Sequence, residues 1–254
     1  MRFKILKRLA EIESKYDVKV LYAVESGSRA WGFDSPDSDY DVRFIYVHRR
    51  DWYLTLGEKR DVIEEMDPDK VLDLSGWDIR KAFTLMSKGN CSFAEWIGSP
   101  IVYYRDEEFL DGLTALKDTF FRTISTVNHY HHMAMNHDRR YLDKRGYELK
   151  RFLYHLRGLL ASQWAIERRS YPPVLFNDLA DAMVKVERIR KEIEEIVRLK
   201  KAGAEHNCMI VSQALIDYAV LLNIQITESL RTLAPEQPVD IEPLNRLLLD
   251  TINR

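Results

Sequence analysis

Asp37, Asp39 and Asp41 stand at alternate positions and lead directly into the alternating run YDVRFIYV, residues 40–47. Side chains two apart on a strand share a face, so this run puts Tyr40, Val42, Phe44 and Tyr46 on one side and Asp39, Asp41 and Arg43 on the other. The pattern predicts a strand with one packed face and one face available for chemistry. Upstream, the β-branched stretch VKVLYAV (residues 18–24) reads as a buried strand that runs into ESGSRAWGF, a turn with two glycines.

The rest of the chain frames these two strands. Ile5, Leu6, Leu9 and Ile12 recur at helical spacing and predict an opening helix ending near Tyr16. A further strand is expected at Val71 to Leu74. Ser75 and Asp78 form a capping box before Ile79, Phe83 and Met86, with Gly89-Asn90 closing that helix. From about Leu116 the periodicity is helical almost throughout, interrupted by Pro172-Pro173 and by APEQPVD before a last short helix. The fold expectation is α+β: a domain of mixed sheet and helices over residues 1–115, then an all-helical domain over residues 116–254.

Composition narrows the function classes. The 254 residues carry 38 basic and 40 acidic side chains, a net charge of -2, which argues against a whole-surface grip on nucleic acid while leaving room for a local basic groove. Cys91 and Cys208 lie far apart, in no CxxC arrangement, which speaks against a disulfide framework or cysteine zinc site and favours a reducing compartment. The charged amphipathic start is unlike a signal peptide, and no apolar run approaches the roughly 18 residues of a membrane span. The expectation is a soluble cytoplasmic protein with no membrane partner.

Three devices could use the aspartate stretch. An EF-hand loop counted from Asp37 would need glycine and glutamate where Val42 and His48 stand. A P-loop built on Gly27 and Gly32 would need Lys-Ser/Thr where the chain has Phe33-Asp34. The third, a two-metal nucleotidyl-transfer site, survives. Asp39 and Asp41 lie roughly 6.6 Å apart along one strand face, and their oxygens suit a pair of Mg²⁺ ions about 3.5–4 Å apart. Gly27-Ser28 can offer backbone N–H groups and a hydroxyl to a triphosphate, and Arg29 a planar fork for phosphate.

Gly27-Ser28, a spacer of ten residues and then Asp39-Tyr40-Asp41 resembles the hG[GS]…DhDh signature of the DNA polymerase β-type nucleotidyltransferase superfamily. The longer series GSRAWGFDSPDSDYDVRFIY, LDLSGWDIRKAF, EWIGSPIVY and LKRFLYHLRGLLASQW followed by PP looks like the bacterial and phage RlaP-like, RNA-repair-associated group. The resemblance implies a polymerase β-like catalytic domain, two Mg²⁺ ions (with Mn²⁺ as a substitute) and a nucleoside triphosphate substrate. It also implies a third carboxylate, which Asp73 in VLDLSGW matches; the rival Asp78 has a capping role.

Lys81, on the helix after Asp73, either reaches a phosphate or is a solvated helix residue. Lys150, Tyr154 and Arg157 form a separate stripe at i, i+4 and i+7 beside the core face of their helix; with the resemblance, this stripe is expected to face nucleotide. His129, His131, His132 and His137 read as helix or core histidines, since no carboxylate or cysteine completes a zinc set. The resemblance implies RNA 3' ends as acceptor, and seven basic residues between Arg139 and Arg157 could supply a track. Nucleotidylation of a protein side chain and a non-catalytic nucleotide-binding regulator are the competing readings. The preferred nucleotide, the oligomeric state and any role for Glu205 are beyond the sequence.

Overall fold

The computed structural model describes residues 1–138, 142–143, 146–203 and 208–254. The first elements are α1 (Arg2–Tyr16), β1 (Val18–Glu25), α2 (Gly27–Trp31), β2 (Tyr40–His48), α3 (Arg50–Leu54), β3 (Val62–Met66) and β4 (Leu72–Asp78). There follow α4 (Ile79–Ser87), α5 (Cys91–Ile97), β5 (Val102–Arg105) and α6 (Glu107–Lys117). The five strands form one mixed sheet in the order β3-β4-β2-β1-β5. β1 runs antiparallel to β2 and β5, while β2 and β4 are parallel neighbours.

Both faces of this sheet are covered. On one, Ile5, Leu9 and Ile12 of α1 pack against Val20, Ala23, Val42, Phe44 and Leu74. On the other, Leu21, Val24, Ile45 and Val47 meet Ile79, Phe83 and Met86 of α4, Phe93 and Trp96 of α5, and Phe109 of α6. β2 is therefore not the one-sided strand its alternation predicts. Its polar face is confined to the start, at Asp41 and Arg43, and from Ile45 onward both faces are apolar and buried. A central strand between two helical layers has no solvated side.

The junction after β4 also differs from expectation. Ser75 lies within the strand, and Asp78 is itself the cap of α4, accepting from the Arg80 backbone N–H at 2.9 Å. The strand continues through Gly76 because nothing else fits there: a Cβ would lie 2.1 Å from the Phe44 ring.

The later elements are α7 (Thr123–Asp138), β6 (Leu142–Asp143), β7 (Gly146–Glu148), α8 (Leu149–Arg168), α9 (Phe176–Met183), α10 (Glu187–Lys201), β8 (Cys208–Met209), α11 (Gln213–Thr232) and α12 (Glu242–Ile252). A sheet-bearing part is thus followed by a predominantly helical one. By contacts the chain forms two compact units: Met1–Ala30, Asp39–Phe120 and Pro238–Arg254 in one, Trp31–Ser38 and Phe121–Gln237 in the other. The sequence pattern grouped everything after residue 116 together, whereas α12 packs on α4 and α6 of the first unit. In the second unit α8 is central, touching α7, α9, α10 and α11.

The segment Trp31–Ser38 is held inside the second unit. Trp31 and Phe33 meet the Tyr154 ring at centroid distances of 5.0 and 5.9 Å, and Phe33 meets Phe176 at 5.5 Å. The buried Lys200 ammonium donates to Ser35 Oγ at 2.8 Å. Among the described residues, no helix is long and apolar enough to cross a membrane.

Candidate active site

The parallel pairing of β2 with β4 places Asp41 opposite Asp73. In-register residues of neighbouring strands point to the same face, so the two carboxylates emerge side by side. Arg43, two residues along β2 on that face, joins them: its Nη2 donates to Asp41 Oδ1 at 3.0 Å and to Asp73 Oδ2 at 2.9 Å. All three side chains are part-exposed, at 33% for Asp41, 30% for Asp73 and 20% for Arg43, so the cluster meets solvent.

Asp41 is fixed from behind as well. Its backbone N–H donates to Glu25 Oε1 at 2.7 Å, and its carbonyl accepts from the Ser26 N–H at 2.8 Å. Gly27, with φ +61°, packs directly on its carboxylate, so that a Cβ there would lie 2.3 Å from Asp41 Oδ2. The Gly-Ser turn and the second aspartate of the motif are therefore in contact, and only glycine permits that approach.

Glu25 escaped the sequence reading. It is fully buried at the end of β1 and uses both oxygens, one for the Asp41 N–H and the other for the Tyr103 hydroxyl. Ser99 Oγ donates to its backbone carbonyl at 2.6 Å. Burial pushes its carboxyl above the usual carboxylate range, opposed by the bonds from Tyr103 and from the Asp41 N–H. The available signal was an acid ending an apolar strand directly before the Gly-Ser turn.

Asp39 stands one residue before β2 and is exposed. Arg29 holds its backbone: Nε donates to the Asp39 carbonyl at 3.0 Å, and the guanidinium lies 3.8 Å from the centre of the Tyr40 ring. Ser28 is buried beside Gly27 at the start of α2. The donor set fits a hard divalent ion in its chemistry, being carboxylate oxygen with two members already shared by one cation. Among the described residues, however, no three Asp, Glu, His or Cys side chains converge as a metal cluster. The structure brings Asp41 and Asp73 together, with Asp39 on the same segment one residue ahead of β2.

The other predicted residues lie elsewhere. Lys81 pairs with Asp61 at 3.0 Å, beyond the end of β4 that lies about 16 Å along the strand from Asp73. There it borders a cavity of about 400 Å³ with Trp52, Tyr53, Asp78 and Arg80. Its buried Asp78 is occupied structurally, accepting from Tyr53 Oη at 2.7 Å while capping α4.

Lys150, Tyr154 and Arg157 belong to the second unit. Arg157 is fully buried, its guanidinium 4.5 Å from the centre of the Trp31 ring, and Tyr154 packs on Trp31, Phe33 and His137. Lys150 is half-buried. His131 Nε2 lies 2.7 Å from Asn223 Oδ1, and His155 Nδ1 lies 3.0 Å from the Ala134 carbonyl oxygen. Within the expected basic track, Arg139, Arg140, Lys144 and Arg145 lie outside the described residues, as does Glu205.

Comparison with known proteins gives three findings. A sequence profile of RlaP, the RNA repair pathway DNA polymerase beta family, matches residues 1–250. The chain is 38% identical over 252 residues to the uncharacterized protein YcgL of Bacillus subtilis (strain 168), covering 99% of this chain and 96% of that one. Among solved structures, a nucleotidyltransferase-like protein from Exiguobacterium sibiricum 255-15 aligns with a TM-score of 0.34 and 12% identity, over 96% of this chain and 78% of the other.

Proposed function

This chain belongs to the RlaP family of polymerase β-like nucleotidyltransferases, and from that premise we propose that it transfers a nucleoside monophosphate from a nucleoside triphosphate to an acceptor hydroxyl. The observation that carries the reading is the in-register pair Asp41 and Asp73, with Gly27 packed on the Asp41 carboxylate. A binding protein has no need of carboxylates converging against a glycine turn; transfer of a phosphoryl group does, because its catalysis is mainly positioning and electrostatics.

Asp39, Asp41 and Asp73 are the residues that would hold Mg²⁺, whose charge, when bound, favours ionisation of the acceptor hydroxyl and offsets that of the triphosphate. Asp41 is held on its backbone side by Glu25 and on its carboxylate side by Gly27, which fixes where the reacting phosphate can sit. The Gly27-Ser28 turn receives the triphosphate. Arg29 keeps Asp39 in place through its carbonyl. The acceptor oxygen bonds to the α-phosphorus as the bond to the bridging oxygen breaks, and pyrophosphate leaves with that electron pair. The hydroxyl proton passes to solvent or to an Asp39 or Asp73 carboxylate. The acceptor class proposed is RNA ends, a reading that the family's RNA-repair description supports.

The test incubates the protein with each of four α-³²P-labelled nucleoside triphosphates, Mg²⁺, an RNA pool and a cell protein extract. Label in RNA that disappears in Asp41→Asn and Asp73→Asn supports the proposal. Label in protein instead would reassign the acceptor. Unchanged labelling by both variants would refute the site.

A further inference from the structure

Arg43 has no part in the scheme above, yet it is the side chain most closely engaged with the proposed ligands. One nitrogen, Nη2, is shared between Asp41 Oδ1 at 3.0 Å and Asp73 Oδ2 at 2.9 Å. The other terminal nitrogen, Nη1, donates to the Val42 carbonyl at 3.2 Å and to the Asp73 carbonyl at 3.4 Å. A guanidinium is a cation that donates through a planar fork. Its place between the two carboxylates is therefore a cation site that the chain fills with its own residue.

Two carboxylates emerging from adjacent strands repel each other across a part-exposed surface. Something must offset that repulsion whenever no ion is bound. Arg43 does so from the same strand as Asp41, so the counter-ion is built into the sheet register. A divalent ion held by the same two oxygens would stand where Nη2 stands, and the oxygens cannot serve both at once.

We propose that Arg43 is the built-in counter-ion of the Asp41/Asp73 pair. It holds both carboxylates in position in the metal-free protein and competes with the divalent ion for their oxygens, so that metal binding requires Nη2 to withdraw. This inference rests on the proposal that Asp41 and Asp73 are metal ligands. It assigns Arg43 a positioning role and implies that metal affinity is set below what the carboxylates alone would give. Withdrawal leaves Nη1 its carbonyl acceptors, so the side chain need only pivot about an anchored edge.

The experiment measures Mn²⁺ binding to the full chain by electron paramagnetic resonance of the free ion, and thermal unfolding with and without Mn²⁺. The proteins are wild type, Arg43→Met, Arg43→Gln, Arg43→Lys and Asp41→Asn. Expected for Arg43→Met is Mn²⁺ binding at least about fivefold tighter than wild type, because a cation in contact with both ligands opposes the ion. Its metal-free melting temperature should fall, and its rise on adding Mn²⁺ should exceed that of wild type.

Arg43→Lys keeps the charge on a compact head and should bind Mn²⁺ within about twofold of wild type. Arg43→Gln removes the charge but keeps a polar head and should bind Mn²⁺ at least about fivefold tighter than wild type; it carries the test in the same way if Arg43→Met fails to fold. Arg43→Met binding no tighter than wild type, while Asp41→Asn loses the site, overturns the counter-ion role and leaves the metal site standing. Mn²⁺ binding that Asp41→Asn does not alter overturns both.

Discussion

Replacing Gly27 with alanine tests the contact on which the proposed site rests. Two separate costs follow from the geometry. The backbone at φ +61° is left-handed, which costs an L-residue roughly 1–2 kcal/mol. At about 2–4 °C per kcal/mol for a chain of this size, the melting temperature should fall by about 2–8 °C. The second cost is positional. The new Cβ would lie 2.3 Å from Asp41 Oδ2, where ordinary contact begins near 3.4 Å. Relieving that overlap moves the carboxylate by roughly 1 Å, a displacement that costs about 10²-fold in rate at a reacting centre.

The assay is initial-rate transfer from the labelled triphosphate at saturating Mg²⁺, alongside thermal unfolding. Gly57→Ala separates the two costs. Gly57 has φ +105° and nothing within 4 Å of its would-be Cβ, so it carries the strain without the overlap. It should lose a similar few degrees and keep its rate. Gly27→Ala that is destabilised yet transfers at the wild-type rate would refute the argument that the Gly27–Asp41 approach matters to the chemistry.

Asp41→Asn and Asp73→Asn should each lower transfer by at least about 10³-fold, since each removes a charge from the proposed electrostatic centre; equal rates in either variant would exclude that residue. Glu25→Ala strips the Asp41 N–H and the Tyr103 hydroxyl of their acceptor, a loss of about 1–3 kcal/mol for each buried group, whereas Glu25→Gln keeps an acceptor oxygen and should recover most of the transfer rate. A rate in Glu25→Ala equal to that of Glu25→Gln would show that Glu25 does not position Asp41. Burial raises the Asp78 carboxyl above its ordinary value of 3.8. The folded state therefore binds the extra proton just above that pH, and the stability this group contributes is full below 3.8 and lost as pH rises through the raised value. The midpoint of Asp78→Asn minus that of wild type should accordingly rise from acid to neutral pH, so that any deficit of the variant narrows; a signed difference that stays constant or falls would contradict the raised value.

Much of the local structure was legible because it depends on neighbours in sequence. The 3.6-residue spacing of Ile5, Leu9 and Ile12 specifies the buried stripe of α1, and the β-branched run before Glu25 specifies β1. The change from mixed to helical periodicity near Leu116 marks where a sheet-bearing part gives way to helices. The two-residue alternation around Asp41 put Asp41 and Arg43 on one strand face. What misled was also local: Ser75 and Asp78 have capping-box spacing, yet β4 runs through Ser75 because Gly76 fits beneath Phe44, a contact between strands far apart in sequence.

By itself, then, the sequence determined α1, β1, β2, a strand at β4, the helix α4, the helical character after Leu116 and the residue types available for chemistry, since propensity and periodicity are properties of short windows. It did not mark β3 and β5. Only the tertiary structure decided the partners. It set Asp41 opposite Asp73 through a parallel pairing that no local signal encodes, and it placed Arg43 between them. It buried Glu25 against Tyr103, 78 residues away. It drew Trp31–Ser38 into the second unit and returned α12 to the first. Register and burial arise from long-range closure of the chain, and residue spacing alone does not carry that information.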